Sequence, residues 1–268
     1  MKMDEETLER LKRWFASYVQ TFESGDPDQQ MNIALKEEHT RRVCKEILAL
    51  GRRLGLNDED LRLAETIALF HDVGRFEQYA RYHTFADRRS TDHARLGTEI
   101  LREEGVLDEL DRPTRDLILR TVSYHNRMDL PRDETERCLF FTRLLRDADK
   151  LDIWRVVIDY CHRNGGEKNS ALELDLPDTQ GISNDVYQDM MAGGMVKIDH
   201  LENLNDFKLL LMGWIYDINF GPTYEAIHER QYLESIRDVI PRSKKIEEVY
   251  ARVRSCLDEK LEEASGSS

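Results

Sequence analysis

Five of the chain's eight histidines fall between His39 and His125, and one of them, His71, is followed directly by Asp72. The run before this pair, Ile67-Ala68-Leu69-Phe70, is apolar on all sides, so neither polar side chain has a solvated helix face to turn to. Both must enter protein interior or a cleft, where a polar group needs a partner. A metal ion such as Zn, Mn, Fe or Co satisfies imidazole and carboxylate together. His39 lies between Leu35 and Val43, on the inward stripe of its helix. His93 stands in a first helical turn, His125 ends the helix through Leu117 and Val122, and Asp149 sits in Arg146-Asp147-Ala148-Asp149-Lys150-Leu151, on a helix with a heavy apolar face. Six N/O ligands with one carboxylate able to bridge are the inventory for two ions about 3.5–4 Å apart. Singly, His39 or His125 reads as a satisfied core histidine and His71-Asp72 as a helix-end cap; the set carries the metal reading. His83, His162, His200 and His228 read as surface or structural residues.

The elements that must position these residues are helical. Leu8, Leu11, Phe15, Tyr18 and Phe22 recur at three to four residues and mark a first amphipathic helix, interrupted by Asp26-Pro27-Asp28. A second runs from Ile33 to Leu54. Asn57-Asp58-Glu59-Asp60 opens a third, its acids suiting the positive end of the helix dipole, and Gly74 is expected to end it. Ser90 is expected to cap the helix of His93 to Leu101, and Pro113 fits the first turn of the next. Another helix is expected from about Glu134 to Trp154, then a polar, glycine-rich loop or lid from Arg163 to Asn184, then helices around 203–219, 223–238 and 243–263. The Leu209–Ile215 run is apolar all round, so it belongs in this core or in a homodimer interface, and Trp14, Trp154 and Trp214 are expected in the core. Without a strand pattern, the chain reads as one all-α domain of roughly nine to eleven helices over residues 1–268, with its core at about 28–160 and a C-terminal helical extension at about 183–263.

Composition bounds the partners. With 39 basic and 53 acidic residues the net charge is −14, and the summed field repels nucleic acid polymers. An anionic small molecule needs a local reversal of sign. Residues 75–95 supply one, with five arginines against Glu77, Asp87 and Asp92. The four scattered cysteines form no CxxC pair and suit reduced thiols in a cytoplasmic protein. No window approaches 18 apolar residues, so no membrane partner is expected.

The order His39 … His71-Asp72 … Asp149 resembles the HD-domain superfamily of metal-dependent phosphohydrolases over roughly residues 35–155. His39-Thr40-Arg41-Arg42-Val43 looks like its opening motif, Phe70-His71-Asp72-Val73-Gly74-Arg75 is similar to its HD-Ile-Gly-Lys/Arg signature, and Ala148-Asp149-Lys150-Leu151 resembles its closing Ala-Asp-x-Leu. His93-Ala94-Arg95-Leu96-Gly97 … Ile100-Leu101 is similar to a stretch of the HD-Gly-Tyr-Pro cyclic-dinucleotide phosphodiesterases. Tyr124-His125-Asn126 replaces their His-His-Glu, however, and Met128-Asp129-Leu130-Pro131 stands in place of Gly-Tyr-Pro. The same ligand order also resembles the HD-fold di-iron oxygenases.

The resemblance implies a helical HD bundle holding two divalent ions, Mn, Fe, Co, Ni or Mg. Asp72 would bridge them, with His39, His71 and Asp149 on one ion and His93 and His125 on the other. A metal-activated hydroxide would then attack the phosphorus of a small phosphorylated or nucleotide-like substrate. Arg75, one turn past the pair, is the first choice for a phosphate clamp, because guanidinium matches phosphate oxygens; Arg42 and Lys150 come next. A di-iron oxygenase and a non-catalytic metal- or nucleotide-sensing module are the alternatives.

Overall fold

Helix starts follow from short polar side chains that accept backbone amides left unpaired in the first turn. In the computed structural model, which describes residues 3–162, 169, 173, 174 and 176–266, Asp4 caps α1 (Glu5–Gln20), Asp26 caps α2 (Pro27–Arg53) and Asn57 caps α3 (Asp58–Phe70). After α4 (Val73–Tyr82), α5 (His93–Glu103) is capped by Asp92 and α6 (Arg112–Tyr124) by Asp111, with Pro113 in the first turn. The long α7 spans Glu136–His162. There follow α8 (Asn184–Met191), α9 (Leu204–Gly213), α10 (Gly221–Glu229), α11 (Tyr232–Asp238) and α12 (Lys244–Ser265). No strand occurs among the described residues, so the all-α expectation holds.

The chain divides into two compact units, Met1–Asp152 and Ile153–Ser268. In the first, α2 packs along α3, α4 along α5, and α1 and α6 against α3. Ile67, Phe70, Phe76, Leu144 and Leu145 are wholly buried there. In the second, α12 packs on α8, α10 and α11 around Trp154, Leu211, Leu233 and Val249. The apolar Leu209–Ile215 run is buried within this unit apart from a half-exposed Trp214, whose ring packs on Trp154. Trp14 is also only half-buried, against Tyr18 and Phe70.

Three local expectations are corrected. Gly74 does not end α3; the helix stops at Phe70, and Gly74 lies in the first turn of α4. A Cβ on Gly74 would sit 2.6 Å from the Gly97 amide nitrogen and closer still to the His93 carbonyl oxygen, so glycine is there to let two helix backbones touch. Asp92, not Ser90, caps α5, accepting from the amides of Ala94 and Arg95; the Ser90 hydroxyl instead donates to the Ala86 carbonyl and accepts from Gln78. The helix expected over 223–238 is two, separated where Gln231 takes a left-handed φ of 53°. Most of the loop expected at 163–184 lies outside the described residues; positions 176–183 run without helix into α8. No described helix is long and apolar enough to cross a membrane.

Candidate metal centre

Four helix ends and two helix middles converge in the first unit. His71 terminates α3 and Asp72 precedes α4, in a tight corner where the Asp72 side chain makes no cap to its own helix. His39 projects from the middle of α2, His93 opens α5, His125 closes α6 and Asp149 lies on α7. The four histidines and Asp72 are buried, His71 completely. The burial demanded by the apolar run before His71-Asp72 is therefore met.

The histidines form two pairs. His39 and His71 bring their Nε2 atoms to 3.3 Å, and His93 and His125 bring theirs to 3.0 Å. Asp72 stands between the pairs. Its Oδ2 lies 3.6 Å from Nε2 of both His39 and His71, while its Oδ1 lies 3.3 Å from His93 Nε2 and 3.8 Å from His125 Nε2. Asp149 adds Oδ1 to the first pair, 3.0 Å from His39 and 3.7 Å from His71. The six residues singled out in the sequence are thus in one place, as two clusters sharing Asp72.

The opposite edge of each ring explains what these clusters suit. His39 Nδ1 is 2.7 Å from Asp152 Oδ2, and His93 Nδ1 is 2.8 Å from Asp87 Oδ2. His71 and His125 each place Nδ1 2.7 Å from the carbonyl oxygen three residues back, Ala68 and Val122. Each Nδ1 faces an acceptor and so carries the ring proton, which leaves each Nε2 a lone pair turned inward. Lone pairs therefore meet carboxylate oxygens, and Asp149 Oδ1 is buried without a hydrogen-bond donor. Acceptors that crowd together without protons need a cation, and imidazoles backed by carboxylate or carbonyl are the usual form of metal-ligating histidine. The donor set fits divalent ions.

Protonation follows the same geometry. Burial, helped by Arg75, pushes His93 down to about 4, and burial pushes His71 down to about 4 despite the attraction of Asp72 and Asp149. Burial opposes the charge on Asp72, but Lys36 and His71 outweigh it and hold the carboxyl well below the usual range. Asp149 is held low in the same way by His39 and His71. His39 goes the other way: burial and Lys36 press it down, but the nearby carboxylates of Asp149 and Asp152 favour its protonated form and raise it overall. A proton and a metal ion would compete for its Nε2.

The expected anion clamps are engaged nearby. Arg42 forks onto Asp152, with Nε 2.6 Å from Oδ1 and Nη2 3.1 Å from Oδ2, and so braces the acid behind His39. Arg75 Nη1 donates to Gln78, the Phe85 carbonyl and Asp87, bracing the acid behind His93. Its Nε is buried without a hydrogen-bond acceptor, 3.5 Å from Asp72 Oδ1. Lys150 is buried on α7 beside Asp149. The sequence reading missed Lys36, Asp87 and Asp152. Lys36 Nζ lies 2.8 Å from Asp72 Oδ2. Spacing held a signal for two of them: Lys36 precedes His39 by three residues and Asp152 follows Asp149 by three, so each shares a helix face with a singled-out residue.

The first unit is helical and gathers four histidines and two aspartates into a centre that could hold divalent metal. The family model for the HD domain matches residues 37–154, which contain all six of these residues; that segment, a little under half of the chain, is an HD domain, of a superfamily most of whose members are metal-dependent hydrolases. No curated protein and no solved structure matches the chain.

Proposed function

We propose that the protein is a metal-dependent phosphohydrolase that cleaves a phosphoester or phosphoanhydride bond in a small nucleotide-like substrate. The observation that carries this reading is the placement of Asp72, one oxygen toward each histidine pair and a cation beside each oxygen: Arg75 Nε by Oδ1 and Lys36 Nζ by Oδ2. His39, His71, Asp72 and Asp149 would hold one divalent ion, and Asp72, His93 and His125 the other. When bound, such a pair supplies a nucleophile at neutral pH and neutralises charge on the phosphoryl oxygens.

The chain's own residues prepare the site. Asp152 and Asp87 hold the rings of His39 and His93 in the tautomer that turns Nε2 inward. Arg75, anchored through Nη1, presents an Nε–H with no acceptor of its own, a donor ready for a phosphoryl oxygen. The ligand set alone would also suit a di-iron oxygenase. Lys36 and Arg75 favour an anionic substrate, and hence the hydrolase.

The test is hydrolysis of a panel of nucleotides and phosphodiesters by manganese-loaded protein, with all phosphorus-containing products (phosphate, pyrophosphate or phosphomonoester) resolved by chromatography and iron-loaded protein assayed for oxygen uptake in parallel. Hydrolysis that vanishes in Asp72→Ala and shows a raised KM in Arg75→Ala supports the proposal. Oxygen uptake without hydrolysis would replace it with the oxygenase.

A further inference from the structure

Arg42, Arg75 and Lys36 stand near the centre, and they differ in what their acids do. Arg42 hydrogen-bonds to Asp152 and Arg75 to Asp87, each an acid that backs a histidine and faces away from the converging Nε2 atoms, while Arg75 Nε comes only within 3.5 Å of Asp72 Oδ1, without a hydrogen bond. Lys36 is different, because its carboxylate partner is Asp72 Oδ2, an oxygen directed at the His39–His71 pair. Its ammonium is largely buried and lies 5.2 Å from the centre of the Phe85 ring. Any divalent ion held by Asp72 takes the negative charge that Lys36 relies on, and like charges then face each other across one carboxylate. A largely buried ammonium stripped of its counter-charge needs another anion.

We infer that Lys36 is a substrate-binding residue: it balances Asp72 while the centre is metal-free, and contacts a phosphoryl oxygen once the centre is loaded. This rests on the phosphohydrolase reading and adds a second phosphate contact, opposite Arg75 across Asp72. It also gives an acidic protein a reason to keep a lysine inside its metal centre. An ammonium there weakens the metal-free site's attraction for cations, and is useful only if an anion arrives with them.

The experiment is calorimetric binding of inorganic phosphate to manganese-loaded wild-type, Lys36→Met and Lys36→Arg proteins, with bound manganese and the melting temperature of the metal-free form measured for each. The inference predicts that Lys36→Met holds manganese at least as tightly as wild type and melts lower when metal-free. Its affinity for phosphate should fall about tenfold or more, the scale of a charge-assisted hydrogen bond. Lys36→Arg, which keeps the charge, should retain most of the phosphate affinity. Equal phosphate affinity in wild type and Lys36→Met would overturn the inference while leaving the hydrolase reading intact. Loss of manganese from Lys36→Met would also overturn it, making Lys36 a support for Asp72. Wild-type protein that holds manganese but binds no phosphate would instead remove the reading on which the inference rests.

Discussion

Gly74 lies against Gly97 at backbone contact, and this crossing of α4 on α5 sets the distance between the two halves of the centre. His71 and Asp72 stand just before Gly74, and His93 stands four residues before Gly97. Bringing the glycines together brings His93 Nε2 to 3.3 Å from Asp72 Oδ1. A methyl group at Gly74 would sit 2.6 Å from the Gly97 amide nitrogen and closer still to the His93 carbonyl, backbone that cannot rotate away, whereas one at Gly97 meets the Val73 side chain at 3.1 Å and the Gly74 amide nitrogen at a looser 3.2 Å. Gly74→Ala should therefore cost about 1–3 kcal/mol by overpacking, more than Gly97→Ala, and should weaken metal binding at the His93–His125 pair. Denaturant unfolding of the two variants checks the order; equal costs would contradict the crossing.

The carboxylates behind the histidines should matter almost as much as the ligands. Asp152→Asn and Asp87→Asn keep the side-chain shape but remove the charge that fixes His39 and His93. Each should lower the affinity of its own ion by about 10–100-fold, with little effect on the other. Stepwise metal titration separates the two. A single, unselective loss in both variants would mean that the acids serve only folding.

Acid should unfold the metal-free protein early. His71 and His93 are pushed down to about 4 in the fold, against an ordinary value of 6.5. As pH falls, the unfolded chain takes up these protons first, so the stability these neutral rings contribute is complete above about 6.5 and is lost down to about 4. His39 is raised, so its contribution is complete below about 6.5 and is lost only as pH rises above that; it leaves the loss from His71 and His93 unopposed. The melting temperature of the metal-free protein should therefore drop between pH 6.5 and 4. Metal should be released over the same window, since ligation needs deprotonated imidazoles. A flat melting temperature across it would contradict the buried, neutral state of these rings.

How much of this was legible in the sequence depended on how local each signal was. The six clustered residues stood out because an apolar helix cannot end in His71-Asp72 without a purpose, and because each of the others sits on or at the end of a helix with an apolar stripe. The Asn57 cap and the first-turn place of Pro113 were readable for the same reason, since a helix start is decided within one turn. Gly74 was misread as a helix terminator because its role depends on Gly97, which is distant in sequence and close only in space. Lys36 was overlooked among the many charged residues of α2; only its approach to Asp72 sets it apart from them. Asp87 was counted with the acids that offset a cluster of arginines, whereas it is the acceptor that fixes His93.

The central claim is that Asp72 joins two metal positions. Mass spectrometry of metal in protein purified without chelator or affinity-column metal tests it most directly, with His125→Ala and Asp72→Ala beside wild type and circular dichroism to confirm folding. The account predicts close to two ions per chain in wild type, about one in His125→Ala and almost none in Asp72→Ala. One ion per chain that survives in a folded Asp72→Ala, or none in wild type even after reconstitution, would contradict it.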